Sequence, residues 1–274
     1  MNFNEIMSYL DKRVSIEKIP IDWEPKAYIS DEFNRWASGV EFSGWANDKE
    51  TEKEAAVIYK MLQVKGGNSL LDVCCGYGRH ALVFTEKYGL KVTGIDISLG
   101  LIATAKRRAE ENGLDIQYEV RRATALPWKE EFDSAIIAFN TLSLFSETDA
   151  SIVLKGINRS IKQGSRLFID LDNKPYNCRY GTSAHHWYRW PTGLTLQDIF
   201  FYEDISVEVC RDTKFSKDSD KIIESIIFKR IYTPEEISNL LEECSYRVGQ
   251  IYGDWDLSSI SESSPKMLLA AEKI

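Results

Sequence analysis

The stretch Leu70-Leu71-Asp72-Val73-Cys74-Cys75-Gly76-Tyr77-Gly78-Arg79-His80, followed by Gly94-Ile95-Asp96-Ile97-Ser98, decides the reading of this chain. An apolar run that ends in a glycine-bearing turn and opens straight into a helix aims unpaired backbone N–H groups, and the positive helix end, at an anion. Gly76 and Gly78 remove the Cβ atoms that would hold a ligand off the backbone. Asp96, at the expected tip of the second strand, is placed to accept hydrogen bonds from two ribose hydroxyls. These features alone fit either a dinucleotide or S-adenosylmethionine. A dinucleotide fingerprint requires G-x-G-x-x-G, whereas Gly76 and Gly78 are followed by Arg79-His80-Ala81, where Ala81 can stand in for the third glycine. Asp72 separates the two: beside a pyrophosphate it repels, and beside the ammonium of a methionine moiety it attracts, directly or through water.

Working outward, short β-rich runs alternate with segments of helical period, the pattern of a parallel sheet covered by helices. Ser69 to Cys74 reads as the first strand and Arg79 to Tyr88 as a helix stopped by Gly89. Lys91 to Ile95 reads as the second strand, with Ser98 capping a helix that Gly113 ends. Ile116 to Val120, Phe132 to Phe139 and Arg166 to Leu171 supply three further strands, the middle one apolar enough for burial on both faces. Val153, Ile157 and Ile161 recur at helical spacing, and Gly164 is expected to close that helix. Thr233-Pro234-Glu235-Glu236 combines N-cap, proline at the first helical position and capping-box acid. Strands near Tyr246 to Tyr252 and Lys266 to Glu272 finish the pattern. The expected fold is α/β, a doubly wound, seven-stranded, mostly parallel sheet with an N-terminal cap and an inserted antiparallel β lid.

Residues 48–172 and 230–274 are thus expected to form the Rossmann-like core. Residues 1–47, rich in aromatics (Tyr9, Trp23, Tyr28, Phe33, Trp36, Phe42, Trp45), read as a helical cap. Residues 173–229 begin with Asn173-Lys174-Pro175 and read as a β meander of extended runs, from Trp187 through Tyr202, Ile205 to Thr213 and Ile222 to Ile231, serving as a substrate lid. A formal charge of −8 and a pI near 5.1 disfavour a phosphate backbone as partner. Five cysteines, two adjacent and none in paired C-x-x-C motifs, give no disulfide framework and no metal site. The N-terminus has no apolar block of a signal peptide, and no later run approaches the ~20 residues of a membrane span. A cytoplasmic protein with neither nucleic-acid nor membrane partner is expected.

The run Asp72-x-Cys74-Cys75-Gly76-x-Gly78-Arg79-His80, with Gly94-Ile95-Asp96-Ile97-Ser98, closely resembles motif I and the following acidic loop of class I S-adenosylmethionine-dependent methyltransferases. The small-molecule subgroup often reads L-D-x-x-C-G-x-G-R-H. The similarity extends through Leu126-Pro127-Trp128, Phe132-Asp133, Phe139 to Phe145 and the capped C-terminal helix. It implies S-adenosylmethionine as cofactor, with Asp72, Cys74, Gly76 and Gly78 at the methionine end and Asp96 on the ribose. It further implies Ile97 against the adenine and Asn140 beside the sulfonium. Cys74 departs from the usual first glycine, and Arg122 stands where relatives carry an Asp for the adenine amino group. Ala123 and Thr124 then become the adenine-side candidates.

A methyl group on a sulfonium is already activated, so the protein mainly has to align the acceptor and exclude water. Proximity and orientation contribute roughly 7–11 kcal/mol. A general base adds about 3–5 kcal/mol, and only where the acceptor carries a proton that must leave. His185 and His186 in Ser183-Ala184-His185-His186-Trp187-Tyr188, which reads as a polar, aromatic loop after the fifth strand, are candidates for that base, and Tyr188 for orienting substrate. Trp187, Tyr188 and Trp190 are the aromatics singled out for an acceptor pocket. The acceptor expected is a small molecule or peptide, methylated on nitrogen or oxygen rather than carbon. Two rival readings share the same residues: an inactive cofactor-holding partner subunit and a nicotinamide-dependent oxidoreductase.

Overall fold

The computed structural model describes residues 3–12, 14–31, 33–34, 48–180, 183–190, 193–216 and 222–274. The expectations for Trp36, Phe42 and Trp45 lie outside these residues, as does the side chain of Trp190.

Two sheets organise the chain. The first holds seven strands: β1 (Ser69–Val73), β2 (Lys91–Asp96), β3 (Gln117–Val120), β4 (Phe132–Ile137), β5 (Ile161–Asp172), β10 (Tyr246–Tyr252) and β11 (Lys266–Lys273). They lie in the order β10-β11-β5-β4-β1-β2-β3. All neighbours are parallel except β11, which runs antiparallel to β5 and β10. The second is a four-stranded antiparallel meander, β6 (Ser183–Trp190), β7 (Gly193–Tyr202), β8 (Val207–Ser216) and β9 (Ile222–Arg230).

Side-chain alternation along the strands sends each apolar run into two cores at once. In β1, Leu70 packs with Ile58, Phe84 and Ile102, whereas Leu71 packs with Val153, Ile157 and Ile237. The helices divide accordingly. Helices α3 (Asp48–Leu62), α4 (Arg79–Tyr88) and α5 (Leu99–Glu111) cover one face, and α6 (Glu147–Ser160) and α8 (Pro234–Glu243) the other. This is a doubly wound α/β sheet. Local chemistry fixes the helix ends: Ser98 and Ser146 accept from Leu101 and Asp149 backbone N–H, and Thr233 with Glu236 closes a reciprocal capping box. No described helix is long and apolar enough to cross a membrane.

The N-terminal residues contribute α1 (Phe3–Lys12) and the short α2 (Lys26–Ile29). Ile16, Ile19 and Trp23 pack on Val207, Val209, Phe228 and Phe200, one face of the four-stranded sheet. That face is pinned by Arg211, which bonds Asp198 and the Val14 carbonyl, and by Tyr9, which donates to Glu224.

The structure departs from expectation in four places. Ser183 to Tyr188, expected as a loop, belongs to β6, because its backbone pairs with β7 from Ser183 onward. The helix α6 stops at Ser160 and Gly164, at φ 75°, lies inside β5 rather than at the helix end, so β5 starts five residues before Arg166. Strand β4 ends at Ile137, two residues before Phe139, because Phe139 and Asn140 both turn left-handed at φ 63° and 56°. Lys174–Tyr180 forms a helix, α7, with Pro175 in its first turn where proline lacks no bond, rather than leading directly into extended chain.

Candidate functional site

The crevice opens at the carboxyl ends of β1 and β4, where α/β sheets of this kind bind ligands. It is open to solvent, takes in about 510 Å³ including its mouth, and is lined by Asp72, Cys74, Cys75, Gly76, Tyr77, Arg79, His80, Ala138, Phe139 and Thr141. The turn after β1 is wound left-handed at Cys74 (φ 59°), Gly76 (φ 57°) and Gly78 (φ 74°). The two glycines serve different ends. A Cβ on Gly76 would meet nothing within 4 Å, so this backbone is open to a ligand, whereas a Cβ on Gly78 would lie 2.3 Å from the Tyr118 hydroxyl. Gly78 is therefore required by packing of the protein on itself, which sequence reasoning assigned to ligand approach.

Asp72 is 3% exposed. Burial raises its carboxyl to about 7, against the opposing charge of Arg79 and with the like charge of Asp96. Such a group is a carboxylate in want of a cation. Asp96 lies one strand over, Val73 of β1 being paired with Ile95 of β2. Its Oδ2 accepts from Gly76 N–H at 3.0 Å and its Oδ1 from Ser98 N–H at 2.9 Å. Burial raises its pKa and these backbone bonds oppose the rise. Ile97 N–H is a third backbone partner, and of the roughly four acceptor sites of a carboxylate this leaves room for a hydroxyl. Ile97 follows in the same turn.

Behind the turn, Glu54 of α3 accepts from Arg79 and sits 2.9 Å from His80 Nε2. Burial lowers the pKa of His80, the bond to Glu54 opposing it, so His80 is a neutral brace rather than a base. Arg79 also lies over the Phe139 ring at 5.2 Å. The left-handed pair Phe139-Asn140 is held by one buried carboxylate: Asp170 accepts from both backbone N–H groups. Burial raises Asp170 to about 6, with Lys266 opposing. The Asn140 side chain is engaged at both ends by Asp172, so its neighbours Ala138, Phe139 and Thr141 line the crevice instead. Ala123 is buried and packs in the core on the α6 side, in the turn Arg122–Ala125 that also carries Thr124.

In β6 successive side chains alternate, which divides the lid candidates between faces. His185 stands opposite Asp198 and Trp187 opposite Leu196, on the face that receives the N-terminal residues. His185 Nδ1 lies 2.9 Å from Asp198 Oδ1 with its ring 82% exposed, and Trp187 is 70% exposed. His186 and Tyr188 share the other face with Gln197, Cys210, Asp212 and Lys229. Lys229 bonds Glu208 at 2.7 Å and feels the charge of Asp172 at the end of β5, so this second face is the one turned to the strand ends. Burial raises the Tyr188 phenol, with Asp212 adding to the rise.

The sequence does not single out Arg79, Phe139 or Thr141 for the crevice, whereas Asp170, with Asp172, Asp254 and Trp255, is a candidate by its place at a strand end. Asp170 carried a signal, an acid within the apolar run Leu167-Phe168-Ile169-Asp170-Leu171.

The residues present fit an amino-acid-bearing nucleoside: a buried, cation-seeking carboxylate, an open left-handed backbone and a second carboxylate with lone pairs to spare. Residues 70–164 match the family model described as "Methyltransferase domain". A 2-phytyl-1,4-naphtoquinone methyltransferase of Nostoc sp. is 30% identical over 176 residues, 62% of this chain and 71% of the relative. Among solved structures, an S-adenosylmethionine-dependent methyltransferase from Clostridium acetobutylicum superposes with a TM-score of 0.72 at 14% identity, covering 81% of this chain and 92% of that one. The CcbJ methyltransferase from Streptomyces caelestis gives 0.71 at 15% identity, over 85% and 94%. Neither the oxidoreductase nor the inactive-partner reading is favoured by these likenesses. With the buried acids, the opened turn and the sheet order in agreement, the chain belongs to the class I S-adenosylmethionine-dependent methyltransferases.

Proposed function

We propose that the protein methylates a nitrogen or oxygen of a small-molecule or peptide acceptor by in-line displacement. S-adenosylmethionine supplies the methyl group, activated on a sulfonium. Asp72 and the Cys74-Cys75-Gly76 backbone receive the methionine end, Asp96 the ribose, and Ile97, Ala123 and Thr124 the adenine. The Ala138–Thr141 turn, stiffened by Asp170 and Asn140, walls the reacting centre. The acceptor enters from the lid side, between the strand ends and the β6–β9 face that carries His186 and Tyr188. His186 holds the proton of an acceptor that must lose one, and Tyr188 orients it; His185 is turned to the opposite face. The observation that carries the reading is the pair of buried carboxylates, Asp72 and Asp96, flanking an open left-handed backbone at Gly76.

An acceptor that is not a nucleic acid is further supported by the net charge of −8 and by the phytyl-bearing naphthoquinone named for the Nostoc relative. The test is calorimetry with S-adenosylmethionine and S-adenosylhomocysteine, followed by turnover on a fractionated metabolite extract with S-adenosylhomocysteine as the readout. Binding of both and release of the demethylated product are expected. Tight binding of a nicotinamide dinucleotide, with neither sulfur ligand bound, overturns the proposal.

A further inference from the structure

Among the described residues, Asn34 joins the N-terminal region to the core. Asn34 Oδ1 accepts from Ser98 Oγ and from Gly100 N–H, each at 2.8 Å. Ser98 is the N-cap of α5 and its backbone N–H binds Asp96, so Asn34 braces from outside the turn that holds the ribose acid. The approach is close. A Cβ on Gly100 would lie 2.2 Å from the Asn34 carbonyl oxygen and 2.8 Å from its Cα. Glycine within a helix costs about 1 kcal/mol relative to alanine, so helix formation gives no reason for it here. The notch it leaves is filled by the Asn34 backbone.

A second observation points the same way. Tyr28 meets Phe33 edge-on with ring centroids 5.4 Å apart. Burial raises its phenol, and the charges it feels come from Lys229, Asp96, Cys210 and Asp212. Helix α2, which carries Tyr28, packs on β9, and the Phe33 ring that Tyr28 meets belongs to the residue just before Asn34, so Tyr28 lies between β9 and the Asn34 contact.

We propose that Asn34 and Tyr28 form a clamp on the adenosine half of the donor, fastened to the Asp96–Ser98 turn through the notch at Gly100. On this view the clamp positions the nucleoside and leaves selection of the acceptor to β6–β9. Asn34 is a positioning residue, acting through Ser98 and the α5 N-terminus. The inference rests on the reading that the Asp96–Ile97 turn receives the nucleoside.

Hydrogen exchange of residues 26–34 in the full chain, with S-adenosylhomocysteine, adenosine or methionine added separately, tests the clamp. Slowed exchange with the first two and no change with methionine is expected. Asn34→Ala and Gly100→Ala should each weaken S-adenosylhomocysteine and adenosine by about tenfold, the loss of one or two buried hydrogen bonds. Methionine binding should be unmoved in both, a split that general destabilisation does not produce. If Gly100→Ala does not fold, Asn34→Ala carries the measurement. Wild-type affinity for adenosine in the variants, or equal protection by methionine, overturns the clamp while leaving the proposed function standing. A wild-type protein that binds neither S-adenosylhomocysteine nor adenosine overturns both.

Discussion

Asp72, raised to about 7 by burial, is half protonated at neutral pH, yet only its carboxylate form can pair with the ammonium of a bound methionine moiety. Each pH unit below that value therefore makes ionisation cost about 1.4 kcal/mol, a factor of ten in affinity. Asp72 is half ionised at pH 7 and about one part in a hundred ionised at pH 5, so the donor should weaken by about 50-fold, or about 2.3 kcal/mol. The ammonium of the ligand, with a pKa near ~7.7–8.0, keeps its proton throughout this window, so it adds no opposing slope. Linkage gives the converse for the free protein. The folded value lies above the ordinary 3.8, so the stability contributed by Asp72 is complete below that value and is lost as pH rises through about 7. Donor-free protein should accordingly gain from acid in this group's contribution while donor binding loses. Calorimetry of S-adenosylhomocysteine from pH 5 to 7 measures the effect, and Asp72→Asn assigns it: the variant should bind weakly and nearly independently of pH. A flat profile in the wild type, or an undiminished slope in Asp72→Asn, refutes the reasoning.

Replacing Asp96 with Ala removes charge-assisted bonds and should cost about 1.5–3 kcal/mol of donor binding by calorimetry. It also frees the Gly76 and Ser98 N–H groups, so thermal stability should fall as well. Asp170→Ala strips the acceptor from two N–H groups in a left-handed turn and should lower stability by about 3 kcal/mol in denaturant titration, with donor affinity falling too. Thr233→Ala opens the capping box of α8, no residue of which lines the crevice; about 1 kcal/mol of stability should go while donor affinity stays constant.

The parts of the fold set by local chemistry were legible in the chain. The Thr233-Pro234-Glu235-Glu236 start of α8, the Ser98 cap and the left-handed Gly89 stop each depend on a few neighbouring residues, and each stands where it was expected. The long apolar strands were legible because burial on both faces leaves no polar alternation. What escaped depends on partners distant in sequence. Gly164 reads as a helix stop, but Ile161 already pairs with Phe132, and Gly164 sits in the irregularity before the ladder with β4 and β11 resumes at Arg166. Phe139 and Asn140 look like more of β4 until Asp170, thirty-one residues from Phe139, takes their N–H groups.

The site divides along the same line. Asp72, Cys74 and Gly76, read from the motif, stand in the crevice, and Asp96 and Ile97 in the turn beside it. Gly78 answers to Tyr118, forty residues on, and Asn140 is turned away by Asp172. The adjacent His185 and His186 could not be told apart by composition. Strand alternation sends them to opposite faces, and only the packing of the N-terminal residues decides which face is which.

A structure of the protein with S-adenosylhomocysteine bound tests the central claim most directly. The account expects the methionine ammonium within hydrogen-bonding reach of Asp72 and both ribose hydroxyls on Asp96, with Gly76 backbone in contact. Density for the ligand elsewhere, or a diphosphate seated on the Gly76 turn of protein purified from its source, would contradict it.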